Sequence, residues 1–596
     1  MADTPQPATD GAGGRAGAWL WAIAVFAVAL ALRAEYLREL WQTPFADELT
    51  LLGDSRYYHT RGREIAAGNV VGDWASYLSP GYCWYLGAVY SLVGESLLAA
   101  KTLQAVLGAA TCVLLYSVGR ALFGAATGVL AGFGLAVYGL HVYYTGLLLP
   151  TTLVAFLNVA FVALLVGDRS NPKLLRAAAA GAVLGLAAAA KANALLLGGV
   201  GWLWYLLAFP DQTRVRRLLA CAAFTVGMGA AVAPFTYHNY LASGHFVLLT
   251  TSGGVNLVKG NGPTANGTHV GVPAHFHGEA SLARYNRGRV NVDRAVNGDR
   301  AMTRWALDYM KEDPARTLAG FGRKFELFFN RFELSINDQF YFAREQIPLL
   351  GLPLAGFALV APLGLSALLL PATWRRRRWV VVAVLATQVA AFVLLFVLAR
   401  YRIVAVCMLL LLASSHAVAW VDAVARRRWV SAAVSVVATL LCAGFVMQPE
   451  THFDERRGFA TQYRFLGDRS YIAGDYPTAI EAYRGYLERP DDRFWGSRYE
   501  AWLVQMRLGS SYERTGQFER AHATLSNFRD ILERAASNGV QDSAGDDADD
   551  GLEVVAADDD GDVVDSDRVG VALALLSKIE RDLKRVDRKR RAAAAR

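Results

Sequence analysis

The sequence predicts an all-α membrane protein: a bundle of about eleven spans with two large outer loops, followed by a helical domain at the C-terminus. Three observations predict it. Over half of the 596 residues (54%) are hydrophobic, and they concentrate before position 450, a composition too apolar for a soluble protein of this size. The apolar residues fall in runs close to the ~20 needed to cross ~30 Å of hydrocarbon. Basic clusters recur at alternate connections between these runs, as the positive-inside rule requires.

Residues 1–17 are rich in Pro, Gly and Ala and read as a disordered cytoplasmic N-terminus. The first span starts at Ala18 and reads as a signal anchor, since no small-residue cleavage site follows it. Further spans are expected at 98–118, 122–140, 143–166, 175–190, 193–209, 218–236, 349–370, 379–398, 402–421 and 429–447, so that 18–450 forms one membrane domain. The segment 80–94 is apolar but short and suits a helix lying in the membrane interface.

With Arg15 in the cytoplasm, counting spans brings Arg120, then Arg169, Lys173 and Arg176, then Arg214, Arg216 and Arg217, then Arg375–Arg378, then Arg426–Arg428 to that same side. The loops 36–97 and 238–348, and everything after Met447, then face the extracytoplasmic side. These flanking arginines supply much of the net charge of +8, which excludes nucleic acid as the expected partner. The five cysteines (Cys83, Cys112, Cys221, Cys407, Cys442) are scattered without a CxxC pair, so neither a zinc site nor a disulfide framework is indicated.

Three features stand against the charge rule or the apolar background. Lys191 and the run Arg400-Tyr401-Arg402 lie at outer span ends, where a cation either snorkels or has a partner. The loop Ala46–Gly87 gathers Asp47, Glu48, Asp54, Tyr57, Tyr58 and His59 beside the bilayer. The loop 238–348 carries T-T-S-G-G-V-N-L-V-K-G-N-G, a Gly/Asn-rich stretch suited to binding and equally to any irregular loop. His269, His275 and His277 lack a carboxylate at ligand spacing, so no metal ligands are assigned. Residues 299–334 read as amphipathic helix.

After Pro449 the pattern changes. Gly467, Gly474, Tyr476, Ala479 and Tyr483 recur 42 residues later as Gly509, Gly516, Phe518, Ala521 and Leu525. This small/large alternation over 451–540 is that of tetratricopeptide helix pairs at a longer spacing, and such a domain would offer a surface to a protein partner. Residues 541–567 are Asp-rich and read as a disordered linker. Residues 568–596 read as a basic C-terminal helix, either solvated or touching membrane lipid phosphates.

Several residues in order resemble the polyprenol-phosphate-sugar-dependent membrane glycosyltransferases of GT-C fold, which include the protein O-mannosyltransferases and the aminoarabinose lipid A transferases (glycosyltransferase family 39-like). Asp54, Tyr57 or Tyr58, Ile65–Gly68 and Ser79–Tyr82 resemble that family's first outer loop. Gln104–Gly108, Arg120–Gly124, Lys191-Ala192-Asn193, Gly260–Pro263 and Arg400-Tyr401-Arg402 follow in order. The resemblance implies a multi-pass bacterial inner-membrane enzyme with its active-site loops and C-terminal domain extracytoplasmic. It implies transfer of a sugar from a polyprenyl-phosphate donor to a lipid, glycan or protein acceptor. Asp54 is then the candidate base, with Asp47 and Glu48 behind it. Arg400, Arg402 and Lys191 are candidates for the donor phosphate, and Tyr57, Tyr58, His59 and Asn261 for substrate contact. No cofactor is fixed, although a divalent metal is compatible with the resemblance. Relatives often carry an acid near position 150; Pro150 and Thr151 stand there instead, which leaves Asp54 to act largely alone and suits an inverting displacement. The rivals are a transporter or flippase, whose polar groups should lie at the membrane midplane, and a non-catalytic scaffold.

Overall fold

The computed structural model describes residues 12–595 apart from 47–52, 73–74, 169, 274–275, 277–288, 336–338, 375, 450–458, 490–497, 543–554, 558–562 and 566–567. The chain divides into two compact units, Met1–His452 and Phe453–Arg596.

The first unit is helical. Five helices are long and apolar enough to cross a membrane: Gly17–Leu40, Leu97–Phe123, Arg214–Ser243, Ala399–Ala425 and Trp429–Val446. Shorter apolar helices stand where the remaining spans were expected: Ala125–Ala136, Thr151–Val166, Leu174–Ala190, Ala192–Leu207, Phe357–Ala367 and Trp379–Leu394. They are short for identifiable reasons. Pro150 stands at the start of Thr151–Val166, and the extended Lys191 breaks the chain after Ala190. The expected span 349–370 is likewise split, Pro348–Gly351 being followed by a turn before Phe357.

In chain order the first elements are α1 (Ala12–Leu40), α2 (Asp54–Ala66), α3 (Pro80–Val93), α4 (Leu97–Phe123), α5 (Ala125–Ala136), α6 (Gly139–Tyr143), α7 (Thr151–Val166), α8 (Leu174–Ala190), α9 (Leu197–Leu207), α10 (Arg214–Ser243) and α11 (Gly253–Asn261). Outer helices expose large apolar side chains, among them Leu175, Val226, Val430 and Leu441. Such a surface is stable only against lipid or another apolar partner. The Ala399–Ala425 helix is the opposite case: every residue from Arg402 to Ser414 is buried, so it is a central element wrapped by protein.

Small residues set the closest crossing. A Cβ on Gly181 of α8 would sit 1.9 Å from the Phe224 carbonyl oxygen of α10, and one on Gly227 of α10 would sit 2.0 Å from that of Ala178. Helix–helix contact in a membrane depends on such close backbone approach. Where α5 ends, Arg33 of α1 fills the break. Fully buried, it donates to the carbonyls of Ala29 (2.8 Å) and Ala136 (3.5 Å) and lies 2.6 Å from His141 Nδ1.

The loop 238–348 is more regular than its composition implies. The Gly/Asn-rich stretch forms α11, and the helices Arg289–Glu312, Pro314–Phe329 and Phe340–Gln346 follow. Its glycines serve packing: a Cβ on Gly254 would meet the Asp299 carbonyl at 2.0 Å, and one on Gly260 the Leu395 carbonyl at 2.0 Å.

The second unit contains the helices Phe459–Ala473, Tyr476–Leu487, Arg498–Arg514, Phe518–Asp542 and Arg568–Ala594. The 42-residue recurrence has a structural cause. Gly467 faces the Tyr483 ring and Gly509 faces Leu525, each where a Cβ would come within 2.6 Å. Gly474 and Gly516 take left-handed φ of 80° and 77° at the turns between helices, as a helix end favours. The last helix does not stand apart. Its Ile579, Leu583 and Val586 join the core of the preceding helices, and Arg585 and Lys589 hold Glu513 at 2.8 and 2.9 Å. Within 541–567 the described residues are the end of the Phe518–Asp542 helix and an antiparallel pair, Val555–Ala557 with Val563–Asp565.

Candidate active site

Asp54 opens α2. Gly53 is the N-cap and offers no side chain to the helix end, so the Asp54 carboxylate in the first turn is favoured by the helix dipole. Arg400 Nη2 donates to Asp54 Oδ2 at 2.9 Å, with the two side chains 14% and 20% exposed. Arg61 is engaged elsewhere, with Glu64 (2.8 Å) and the carbonyls of Asn69, Val70 and Val71.

Arg400 sits in the first turn of the Ala399–Ala425 helix, where a cation opposes the dipole and gains from an adjacent carboxylate. The segment before it is pinned: Val397 N donates to the Gly267 carbonyl (3.0 Å) and Ala399 N to that of Leu334 (2.7 Å). Lys191 ends α8, a favourable place for a cation, and its Nζ lies 4.1 Å from the centroid of the Tyr401 ring. Arg400 Cζ lies 5.3 Å from the same centroid. Asp54, Arg400, Tyr401 and Lys191 therefore form one group, drawn from three helix ends far apart in sequence.

Tyr58 borders this group. It is buried, packs edge-to-face on Tyr82 with centroids 4.9 Å apart and hydrogen-bonds the Ser79 side chain. Burial, and then the Asp54 charge, push its phenol well above the usual range, so it serves here as a neutral donor. Tyr57 accepts the Tyr77 backbone N–H (3.3 Å), and burial raises its phenol also. It lines a cavity along the same face of α2, with Arg61, Ser76, Cys83, Trp84 and His238.

The other candidates lie elsewhere. Arg402, 1% exposed at its side chain, pairs with Glu333 and donates to the carbonyls of Phe328, Asn330 and Phe332. Both Nη atoms of that guanidinium are taken up in a buried clamp on the end of the Pro314–Phe329 helix, which leaves neither open beside Arg400. His59 points across α2 to Tyr90 Oη (3.0 Å) and Glu95 (3.1 Å). Asn261 bridges α11 to the Leu394 carbonyl (3.0 Å) and accepts from Lys324 Nζ (2.7 Å). Lys324 also reaches the Gly260 and Leu395 carbonyls, and burial lowers its ammonium to about 8. Both residues hold the chain leading to Arg400. Asp47 and Glu48 lie outside the described residues, as do His275 and His277, while His269 Nε2 lies 2.9 Å from Lys259 Nζ. Among the described residues no cluster of three His, Cys, Asp or Glu side chains could hold a metal.

Fold and site thus define a multi-pass helical membrane protein whose polar chemistry gathers at helix ends. Residues 78–238 match the family model described as dolichyl-phosphate-mannose-protein mannosyltransferase. No curated protein matches the sequence. Among solved structures, the chain is similar to the oligosaccharyltransferase AglB from Archaeoglobus fulgidus in complex with an inhibitory peptide and a dolichol-phosphate. The identity is 14% and the TM-score 0.41, over 77% of this chain and 59% of that one. It is also similar to ArnT from Cupriavidus metallidurans bound to undecaprenyl phosphate, at 17% identity and TM-score 0.39, over 87% of this chain and 80% of that one.

Proposed function

We propose that this chain is an integral-membrane glycosyltransferase that moves a sugar from a polyprenyl-phosphate donor to an acceptor on the extracytoplasmic side. The observation that carries the reading is the meeting of Asp54 with Arg400 beside Lys191. Transfer from a lipid phosphate needs a base for the acceptor and cations for the leaving phosphate, and this group supplies both. The family-model match over 78–238, between the Asp54 helix and α11, supports the same class.

In the proposed reaction the acceptor's hydroxyl or amine gives its proton to Asp54 as it attacks the anomeric carbon. The bond from that carbon to the phosphate oxygen breaks, and the electron pair leaves on the phosphate. Arg400 and Lys191 stabilise the charge that develops there, Arg400 through its fork geometry. One base and a single displacement invert the anomeric centre. The second unit is the proposed docking module for a protein partner.

The test is reconstitution of the full chain in vesicles with a radiolabelled polyprenyl-phosphate sugar, mannose first, and host membrane extract as acceptor. Label should pass to the acceptor fraction, and Asp54→Asn should stop it. A wild-type protein that neither transfers label nor binds polyprenyl phosphate sinks the proposal.

A further inference from the structure

We propose that Tyr401 is a positioning residue for the donor phosphate: its ring holds Lys191 and Arg400 side by side as a two-cation cradle. The inference rests on the glycosyltransferase reading above and adds to it how the phosphate subsite is built and which residue organises it.

Three observations carry it. Phe392 stacks on Tyr401 with centroids 4.9 Å apart and planes 13° apart, which covers one face of the ring. Lys191 Nζ lies 4.1 Å from the centroid, within reach of the uncovered face, and also hydrogen-bonds the Tyr401 hydroxyl. Arg400, the preceding residue, lies with Cζ 5.3 Å from the same centroid. The two cations are therefore no more than about 9.4 Å apart, and unshielded like charges at such range repel. An aromatic ring offsets part of that cost, because its negative face attracts cations. Phe392, backed by Phe328 at 6.4 Å, keeps the ring from turning.

The charges also fit the ligand class. Lys191, Arg400 and Asp54 together carry one net positive charge. A sugar linked through a phosphodiester carries one negative charge, so donor and cradle neutralise each other. After transfer the phosphate is a monoester with more negative charge, and the cradle favours that product state, as stabilisation of a leaving group requires. Arg402 contributes nothing here, since it points into the Glu333 clamp. The second cation of the cradle is Lys191, 209 residues earlier in the sequence than Arg400.

The experiment measures binding of undecaprenyl phosphate to the full-length protein in nanodiscs, and donor KM and kcat for the same variants. Tyr401→Phe keeps the ring but removes the hydroxyl that Lys191 also engages, and should bind more weakly than wild type and more tightly than Tyr401→Leu. Tyr401→Leu should weaken binding about tenfold or more and raise donor KM with little change in kcat. Lys191→Gln should weaken wild type about tenfold but have little further effect in Tyr401→Leu, because the two act as one unit. Should the Leu variant not fold, singly and multiply fluorinated phenylalanines at 401 preserve shape while draining charge from the ring face, and affinity should fall stepwise with fluorine count. Wild-type affinity in a folded Leu variant, or a flat fluorine series, overturns the proposal. If wild type binds no polyprenyl phosphate at all, it is the donor class that fails instead.

Discussion

Arg400 Nη2 lies 2.9 Å from Asp54 Oδ2, so the proposed base and a proposed phosphate ligand neutralise each other before any substrate arrives. A donor phosphate that drew Arg400 away would free the Asp54 oxygen it now holds for the acceptor, and donor binding would then precede acceptor activation. Asp54→Asn should accordingly lower transfer about 10²- to 10⁴-fold, the range of a general base, while leaving binding of polyprenyl phosphate unchanged or tighter. Loss of phosphate binding in a folded Asp54→Asn protein would mean that Asp54 organises Arg400 and does not compete for it.

Arg402 should behave differently from its neighbour. Its pair with Glu333 is almost wholly buried, and its two Nη atoms also donate to three carbonyls. Removing one partner leaves a buried charge uncompensated, at about 3–5 kcal/mol. Arg402→Met and Glu333→Ala should each lower the melting temperature strongly, and Glu333→Gln less. A folded Arg402→Met protein should keep its affinity for polyprenyl phosphate, whereas Arg400→Met should lose it. Equal losses in the two would return Arg402 to the phosphate site.

The difference between these arginines marks how far the sequence could be read. The apolar runs, the charge alternation and the polar span ends are one-dimensional signals, and the helices stand where those signals put them. Asp54, Lys191 and Arg400 meet because each sits at a helix end. Arg400 and Arg402 look alike in the run R-Y-R, but positions i and i+2 of a helix point to opposite sides, so they cannot share a ligand once the helix begins at Ala399. Helix geometry likewise turns His59 from Tyr58 and Asp54, at about 100° and 140° around α2. Glu333 and Lys324 gave no signal of their own, because an acid or amine in an amphipathic stretch reads as solvated until its partner is known. The Gly/Asn-rich stretch around 253–262 was misleading for a related reason: its glycines relieve contacts with Asp299 and Leu395, which lie distant in sequence.

The α8–α10 crossing offers a test of the bundle. Gly181→Ala places a Cβ 1.9 Å from the Phe224 carbonyl oxygen, a backbone atom that cannot swing aside. Overpacking of this kind costs about 1–3 kcal/mol. Gly199→Ala in α9 meets nothing within 4 Å and should be neutral or slightly stabilising, as alanine favours helix over glycine. Thermal unfolding of the detergent-solubilised protein, followed by loss of soluble monomer, compares the two. A neutral Gly181→Ala would mean that α8 and α10 are not packed this closely.

Asp299 sets a pH dependence in the first unit. Its Oδ1 accepts the Gly254 N–H at 2.6 Å at the start of α11. Burial nonetheless pushes its carboxyl up to about 6 from a usual value near 3.8. The folded protein therefore holds this proton more tightly than the unfolded chain does. Its stabilising contribution is complete below about pH 4 and declines as pH rises towards 6, after which the ionised group remains buried at a cost. The region should thus loosen between pH 4 and 6. Hydrogen exchange of α11 and the Arg289–Glu312 helix, with the exchange rate corrected for its own pH dependence, should show protection falling over that window. Asp299→Asn keeps an acceptor for Gly254 and has no charge to bury, so its protection should stay level. A wild-type slope that survives in Asp299→Asn would assign the dependence to another group.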